Sequence, residues 1–222
     1  MKELTLVIPA KNEAECLAEV LNELKNFDCK KIVIIPKTDL NTQNAVKNLD
    51  CKIVIQDDDG FGRALIQGIN ETETNFLCIF NADGSMDPKY LENMFNELSN
   101  NCDFVFNSRY ENEGGSDDDT FLTYIGNKII TFICNLLFKL NISDVLFTYV
   151  MGSTKVFRSL KIKSKDFSFC VELPIKAKFK NCKFTCLPSH ERPRIAGEKK
   201  VNEFKDGFLI LISIISLFIF KK

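Results

Sequence analysis

Residues 75–98 read NFLCIFNADGSMDPKYLENMFNEL. The apolar run Asn75–Phe80 leads into a polar turn that carries Asp83, Gly84 and Asp87. Pro88–Leu98 follows, and a proline in the first helical turn costs little because that N–H has no partner within the helix. The stretch therefore predicts a buried strand, an acidic turn at its carboxyl end, and a helix running back. A carboxylate exposed at a strand end, followed by glycine, can hold a divalent metal, because Mg²⁺ and Mn²⁺ take hard oxygen ligands shared with phosphates and water. On this turn alone, a plain turn chosen for its conformation is the better account of the pattern.

The same unit repeats on either side. Leu4–Pro9, Lys31–Pro36, Lys52–Gln56 and Asp103–Asn107 are short apolar runs that read as strands. Ala14–Asn26, Asp39–Leu49 and Gly62–Ile69 read as helices between them. Such alternation predicts an α/β fold with a mostly parallel sheet covered by helices on both faces. Ligands of these sheets bind beyond the carboxyl ends of the strands. The segments 9–13, 57–62, 81–87 and 107–109 all fall at those ends and should converge on one crevice.

Beyond Arg109 the texture changes. Glu111–Asp119 (ENEGGSDDD) predicts a mobile flap. Phe121–Leu140 is apolar but broken by Asn127, Lys128, Asn135 and Lys139, which predicts a buried amphipathic helix rather than a span of about 20 apolar residues. Ser168–Phe179 reads as a helix and Lys183–Pro188 as a strand.

Composition narrows the classes. The chain has 222 residues, 45% of them hydrophobic, enough for one globular domain with an appendage. Nine cysteines form no CxxC pair, so they read as small hydrophobes in a reducing compartment rather than a disulfide or zinc framework. His190 is the single histidine, which excludes chemistry that needs paired imidazoles. The opening MKELTLVIPAKNE has too short an apolar run for a signal peptide, so a cytoplasmic location is expected. Residues 155–222 hold 16 Lys/Arg against 6 Asp/Glu, whereas residues 1–154 hold 13 against 24. This asymmetry implies two different partners; nucleic acid is not expected among them.

Taken in order, LVIPAKNEAECL (6–17), DGFGRALIQGI (59–69), NADGSMDP (81–88), FNSRY (106–110) and ERPRIAGEKKVNEFKDGFLIL (191–211) resemble the family 2 glycosyltransferases. The resemblance is to the branch that includes dolichyl-phosphate mannose synthase and bacterial polyprenyl-phosphate glycosyltransferases. It implies a GT-A-like domain over 1–203 and a hydrophobic, membrane-associating helix over 204–222. It further implies an inverting, metal-dependent transfer of one sugar from a UDP- or GDP-sugar to a polyprenyl phosphate or other lipid acceptor. By the family pattern, Asp83 is the ligand for Mg²⁺ or Mn²⁺, and Asp83 and Arg109 are catalytic. Pro9, Ala10, Asn12, Glu13, Asp57, Asp58, Gly62, Arg63, Asn81 and Ala82 would bind the donor. Arg109, Arg192, Arg194 and Lys199 would bind acceptor and phosphate.

Two departures bear on this. Asn81 stands where the family's metal motif usually has its first acid. Ile35-Pro36-Lys37-Thr38-Asp39 stands where an acidic D-D-x-S motif follows strand two, which leaves base recognition unassigned. A sugar-hydroxyl acceptor and a non-catalytic nucleotide-sugar-binding protein remain as alternatives. The final run Gly207–Phe220, flanked by Lys205 and Lys221-Lys222, would make a helix of about 21 Å. That length is short of a roughly 30 Å hydrocarbon core, so the helix is expected to lie in the inner leaflet of a cytoplasmic membrane face or to cross it once, tilted.

Overall fold

The computed structural model describes residues 1–99 and 102–220; Lys221-Lys222, expected to flank the last helix, lie outside them. The chain order is β1 (Leu4–Pro9), α1 (Leu17–Glu23), β2 (Lys30–Pro36), α2 (Leu40–Val46), β3 (Lys52–Gln56), α3 (Phe61–Glu71), β4 (Phe76–Ile79), α4 (Leu91–Ser99), β5 (Phe104–Ser108), β6 (Gly115–Ser116), α5 (Phe121–Phe138), β7 (Val150–Ser153), α6 (Thr154–Ser159), α7 (Phe169–Phe179), β8 (Phe184–Pro188), β9 (His190–Glu191) and α8 (Glu203–Phe220). Short 3₁₀ turns extend α1 at Leu24–Asn26 and precede α4 at Pro88–Tyr90.

Seven strands form one sheet in the order β3-β2-β1-β4-β7-β5-β8. All its pairs are parallel except those of β7, which runs antiparallel between β4 and β5. Side-chain alternation sends Leu6, Ile8, Val33 and Ile35 to the layer of α1 and α4, and Val7, Ile32, Ile34 and Val54 to the layer of α3. The α/β sheet with helices on both faces is thus the expected one.

Three expectations change. The 111–119 flap is fastened: β6 pairs with β9, and Gly115 N and Asp117 N donate to Ser189 O and Glu191 O. Helix α5 is not buried. Ile130, Thr131, Cys134 and Phe138 face the core, while Phe121, Ile125, Ile129, Phe132 and Leu136 stand exposed. Its asparagines point to the protein: Asn127 Nδ2 donates to Tyr110 Oη, and Asn135 bonds both backbone polar groups of Ile142. Two of the four residues that suggested a watery face therefore serve the inner one, while Lys139 is exposed. Helix α8, in turn, packs on α5 and α7 and contributes Ile210, Ile214 and Leu217 to the core.

Helix α3 lies close on the sheet because Gly68 faces it. A Cβ at Gly68 would collide with Val7 Cγ1 and stand 2.7 Å from Ile34 Cδ1. Gly68→Leu should therefore destabilise the fold by about 1–3 kcal/mol, the usual cost of overpacking, measured as a lowered urea midpoint.

Candidate active site

A cavity of about 670 Å³ opens at the carboxyl ends of β1, β3 and β4. Pro9, Ala10, Glu13, Asn81, Ala82, Asp83, Arg109, Arg194 and Lys199 line it, as do Lys11, Gln56, Asp59, Asp118, Asp119, Glu191 and Lys200, which the sequence reading did not select. Ile34, Phe61, Ala64, Leu146, Phe147, Phe167 and Ile210 give the cavity apolar walls as well.

The β4 turn divides its two acids between different tasks. Asp83 Oδ1 accepts from Ser85 N at 3.0 Å and Ser85 Oγ at 2.7 Å, which leaves Oδ2 toward the cavity, 3.8 Å from Arg194. Asp87 instead accepts from Lys89 N at 3.0 Å and caps the 3₁₀ turn before α4. Gly84 has φ of +82°, and a Cβ there would meet Ile195 Cγ1 at 2.6 Å. Glycine is needed on both counts. Asn81 donates from Nδ2 to Ser85 Oγ at 3.4 Å.

Past the end of β1, Asn12 takes a left-handed conformation with φ of 55° and does not line the cavity. Its N–H donates to Asp39 Oδ2 at 2.6 Å, while Asp39 Oδ1 caps α2. Asp39 therefore fixes the Pro9–Glu13 turn, and it does not line the cavity. Glu13, buried, has its carboxyl raised by desolvation, opposed by Cys16 and Lys200. Lys200 Nζ stands 3.5 Å from Glu13 Oε1. Burial and the neighbouring Glu13 push the Cys16 thiol up to about 12, so it is a neutral donor, 3.1 Å from Glu13 Oε2.

Several expected donor and phosphate ligands are placed elsewhere. Asp57 and Asp58 are exposed, and Asp58 pairs with Arg63 at 3.1 Å; the third acid of the run, Asp59, faces the cavity and pairs with Lys11 at 2.6 Å. Gly62 is a packing position, where a Cβ would meet the carbonyls of Ser164 and Asp166. Arg192 is a clamp: it donates to Gly84 O, Met86 O and both carboxylate oxygens of Glu23.

Arg109 is the largest correction. Its Nε and Nη2 donate to Asp144 at 2.7 and 3.1 Å, and Nη1 lies 3.1 Å from Glu191 and 3.5 Å from Asp119. The guanidinium is thereby engaged by carboxylates, with the rings of Phe147 and Tyr110 at 4.8 and 5.1 Å. In this arrangement it holds the back of the site together while still lining the cavity. Burial raises the Glu191 carboxyl, and Arg109 opposes the shift. Three further cations of the cavity lie on the strap that follows β9. Arg194 and Lys199 both pair with Asp118, at 3.1 and 3.5 Å, and Lys200 closes on Glu13. Ile195 N donates to Asp83 O, and Arg192 N to Ser85 O, so this strap lies directly over the β4 turn.

Known proteins place this arrangement. The profile of glycosyl transferase family 2 matches residues 5–161, and the chain belongs to that family. Uncharacterised glycosyltransferases of Mycobacterium tuberculosis and Mycobacterium bovis are each 23% identical over 209 residues, 94% of either chain. Among solved structures, glucosyl-3-phosphoglycerate synthase of Mycobacterium tuberculosis with Mn²⁺, UDP and phosphoglyceric acid superposes with a TM-score of 0.77 at 14% identity, over 97% of this chain and 78% of that one. The same protein with Mg²⁺ and UDP gives 0.72 at 14% identity, over 96% and 78%. These structural likenesses establish a shared GT-A-like fold.

The ion-pair cluster generates a direct test. Asp144→Ala leaves the buried Arg109 without its bidentate partner and should cost about 3–5 kcal/mol of stability. Urea unfolding of the variant checks this. An unchanged midpoint would return Arg109 to the role of a free phosphate ligand.

Proposed function

We propose that this family 2 glycosyltransferase moves one sugar from a UDP- or GDP-sugar to a polyprenyl phosphate at a membrane surface, with inversion at the anomeric carbon. The observation that carries this reading is the pairing of α5 with α8. Thr123 and Asn127 of α5 and Glu203, Asp206 and Ile210 of α8 all stand at the cavity, and at the far ends Phe138 packs on Phe218 at 5.9 Å. The two helices thus leave the crevice side by side, with outward stripes of exposed Phe, Ile and Leu. Over 18 residues, α5 is about 27 Å long. It is also, among the described residues, the one helix long and apolar enough to cross a bilayer. Two apolar stripes beside a basic strap suit a surface of acyl chains and anionic head groups. A lipid acceptor would be delivered where the crevice opens.

The residues at the β4 turn fit a Mg²⁺ or Mn²⁺ that shares its shell with the donor. Asp83 Oδ2 faces the cavity, Asn81 adds an amide, and no cluster of three His, Cys, Asp or Glu side chains forms a complete protein cage among the described residues. When bound, such an ion supplies Lewis-acid neutralisation of the departing diphosphate. Arg194, Lys199 and Lys200 can exchange their carboxylate partners for donor and acceptor phosphates, Arg as a planar fork and Lys as point charges. A phosphate monoester with a second pKa of about 6 is already ionised and attacks without a base. Attack opposite the leaving diphosphate gives inversion.

One observation favours a second reading. Glu191 and Asp119 also line the cavity, and the raised carboxyl of Glu191 suits a general base for a sugar hydroxyl. The solved relative holding phosphoglyceric acid adds a small phosphorylated acceptor to the panel. The deciding experiment supplies UDP- and GDP-sugars with polyprenyl phosphate in anionic vesicles, phosphoglycerate, or simple glycosides, and scores released diphosphate and labelled product. Turnover confined to the lipid phosphate supports the proposal; turnover confined to glycosides replaces it with the second reading.

Asp83→Ala should lower turnover by roughly 10²-fold or more, with chelator giving a similar loss in the parent protein. Full activity under either condition removes the metal from the reaction. Placing charge on the outer stripes, as Phe132→Glu with Phe208→Glu, should release the protein from anionic liposomes in flotation while nucleotide binding persists. Point changes are preferable to deleting α8, whose inner residues belong to the core.

A further inference from the structure

Base recognition has no candidate at the expected position, because Asp39 is spent on the Asn12 turn. The cavity wall supplies another. Gln56 ends β3 on the same face as Val54, and only 5% of its surface is exposed. Its Nε2 donates to Gly60 O at 3.0 Å, an orientation that a carbonyl partner requires of the amide. Its one side-chain bond among the described residues is that of Nε2, which leaves Oε1 without a protein partner; Gln56 lines the cavity together with the apolar residues Ile34, Phe61 and Ala64. Apolar lining with one fixed acceptor is suited to a heterocycle that presents an N–H.

The position also fits the length of the donor. Strand β3 is three places from β4 in the sheet, so its end lies roughly 14 Å from that of β4 at about 4.8 Å per strand. A nucleoside diphosphate spans a distance of that order from its terminal phosphate to the edge of its base. With the diphosphate at Asp83, the base reaches Gln56.

We infer that Gln56 sets the base specificity of the donor, its Oε1 accepting the imino N–H of uracil (N3) or guanine (N1). Cytosine and adenine present an acceptor nitrogen at the equivalent place and meet the oxygen unfavourably. This rests on the nucleotide-sugar reading above, and the test separates the two. Full-length protein with Mn²⁺ is titrated calorimetrically with UDP, GDP, CDP and ADP, and with the N3-methyl and N1-methyl forms of UDP and GDP. The same set is run on Gln56→Met, a nearly isosteric side chain without the acceptor.

The parent protein should bind UDP or GDP at least about tenfold more tightly than its methylated form and than CDP or ADP, the scale of one buried hydrogen bond. The arm with the larger margin identifies the base. Gln56→Met should lose that margin while its affinity for Mn²⁺-pyrophosphate is unchanged. Retention of the full margin in Gln56→Met overturns the inference and leaves the donor reading intact. Failure of every nucleotide to bind the parent protein overturns both. Should Gln56→Met not fold, equal binding of methylated and unmethylated nucleotides to the parent protein overturns the inference by itself.

Discussion

Arg109 carries a positive charge into the interior, and the back of the crevice is built around the cost of keeping it there. A guanidinium out of water is tolerated only when its donors are answered by acceptors of opposite charge. Asp144 answers two of them, and Glu191 and Asp119 share the third direction. These three acids come from the segment before β7, from β9 and from the flap before α5, so one side chain on the end of β5 fixes the relative placement of three distant stretches. The same carboxylates outnumber the single cation. Two of them, Asp119 and Glu191, face the cavity beside Asp118, and this acidic wall is what the basic strap folds against.

The strap therefore has a double character. Arg194 and Lys199 hold Asp118, Lys200 holds Glu13, and Arg194 stands within 3.8 Å of Asp83. The acids of the crevice are thus neutralised by flexible cations that are themselves suited to phosphate. A donor diphosphate brings its own negative charge and offers those cations better partners in a partly buried setting. Arg192 behaves differently. Its four hydrogen bonds to Glu23, Gly84 and Met86 anchor the strap's first residues.

The alternating strands and helices were legible in the sequence because the parallel sheet buries both faces and leaves continuous apolar runs. The acidic β4 turn was legible for a similar reason, since Asp83 and Gly84 are a local pattern. What could not be read locally depends on partners far away. Arg109 looks like a free cation until Asp144 and Glu191, 35 and 82 residues on, are brought to it. Among Asp57, Asp58 and Asp59, only the direction of the turn at Gly60 decides which acid faces inward. The polar residues of α5 were misassigned because an asparagine bonded to backbone is indistinguishable in sequence from one bonded to water. Gln56 did leave a signal: it is a polar residue on the buried face of β3, two places after Val54.

The two halves of the charge asymmetry now have separate physical roles. The acidic amino-terminal part forms the walls that receive metal and nucleotide, and its negative field alone would repel a diphosphate. The basic carboxyl-terminal part closes over those walls and reverses the local sign at the rim. Helices α5 and α8 begin at that same rim, and exposed Phe, Ile and Leu side chains dominate their outer faces. On the lipid-acceptor reading proposed above, a charged head would lie toward Lys199 and Lys200 and an apolar tail along the helix pair. A small soluble acceptor would need the charged half alone, so the exposed phenylalanines of both helices are what separates the two readings. Such paired apolar stripes are costly to maintain in water, and burial against acyl chains removes that cost.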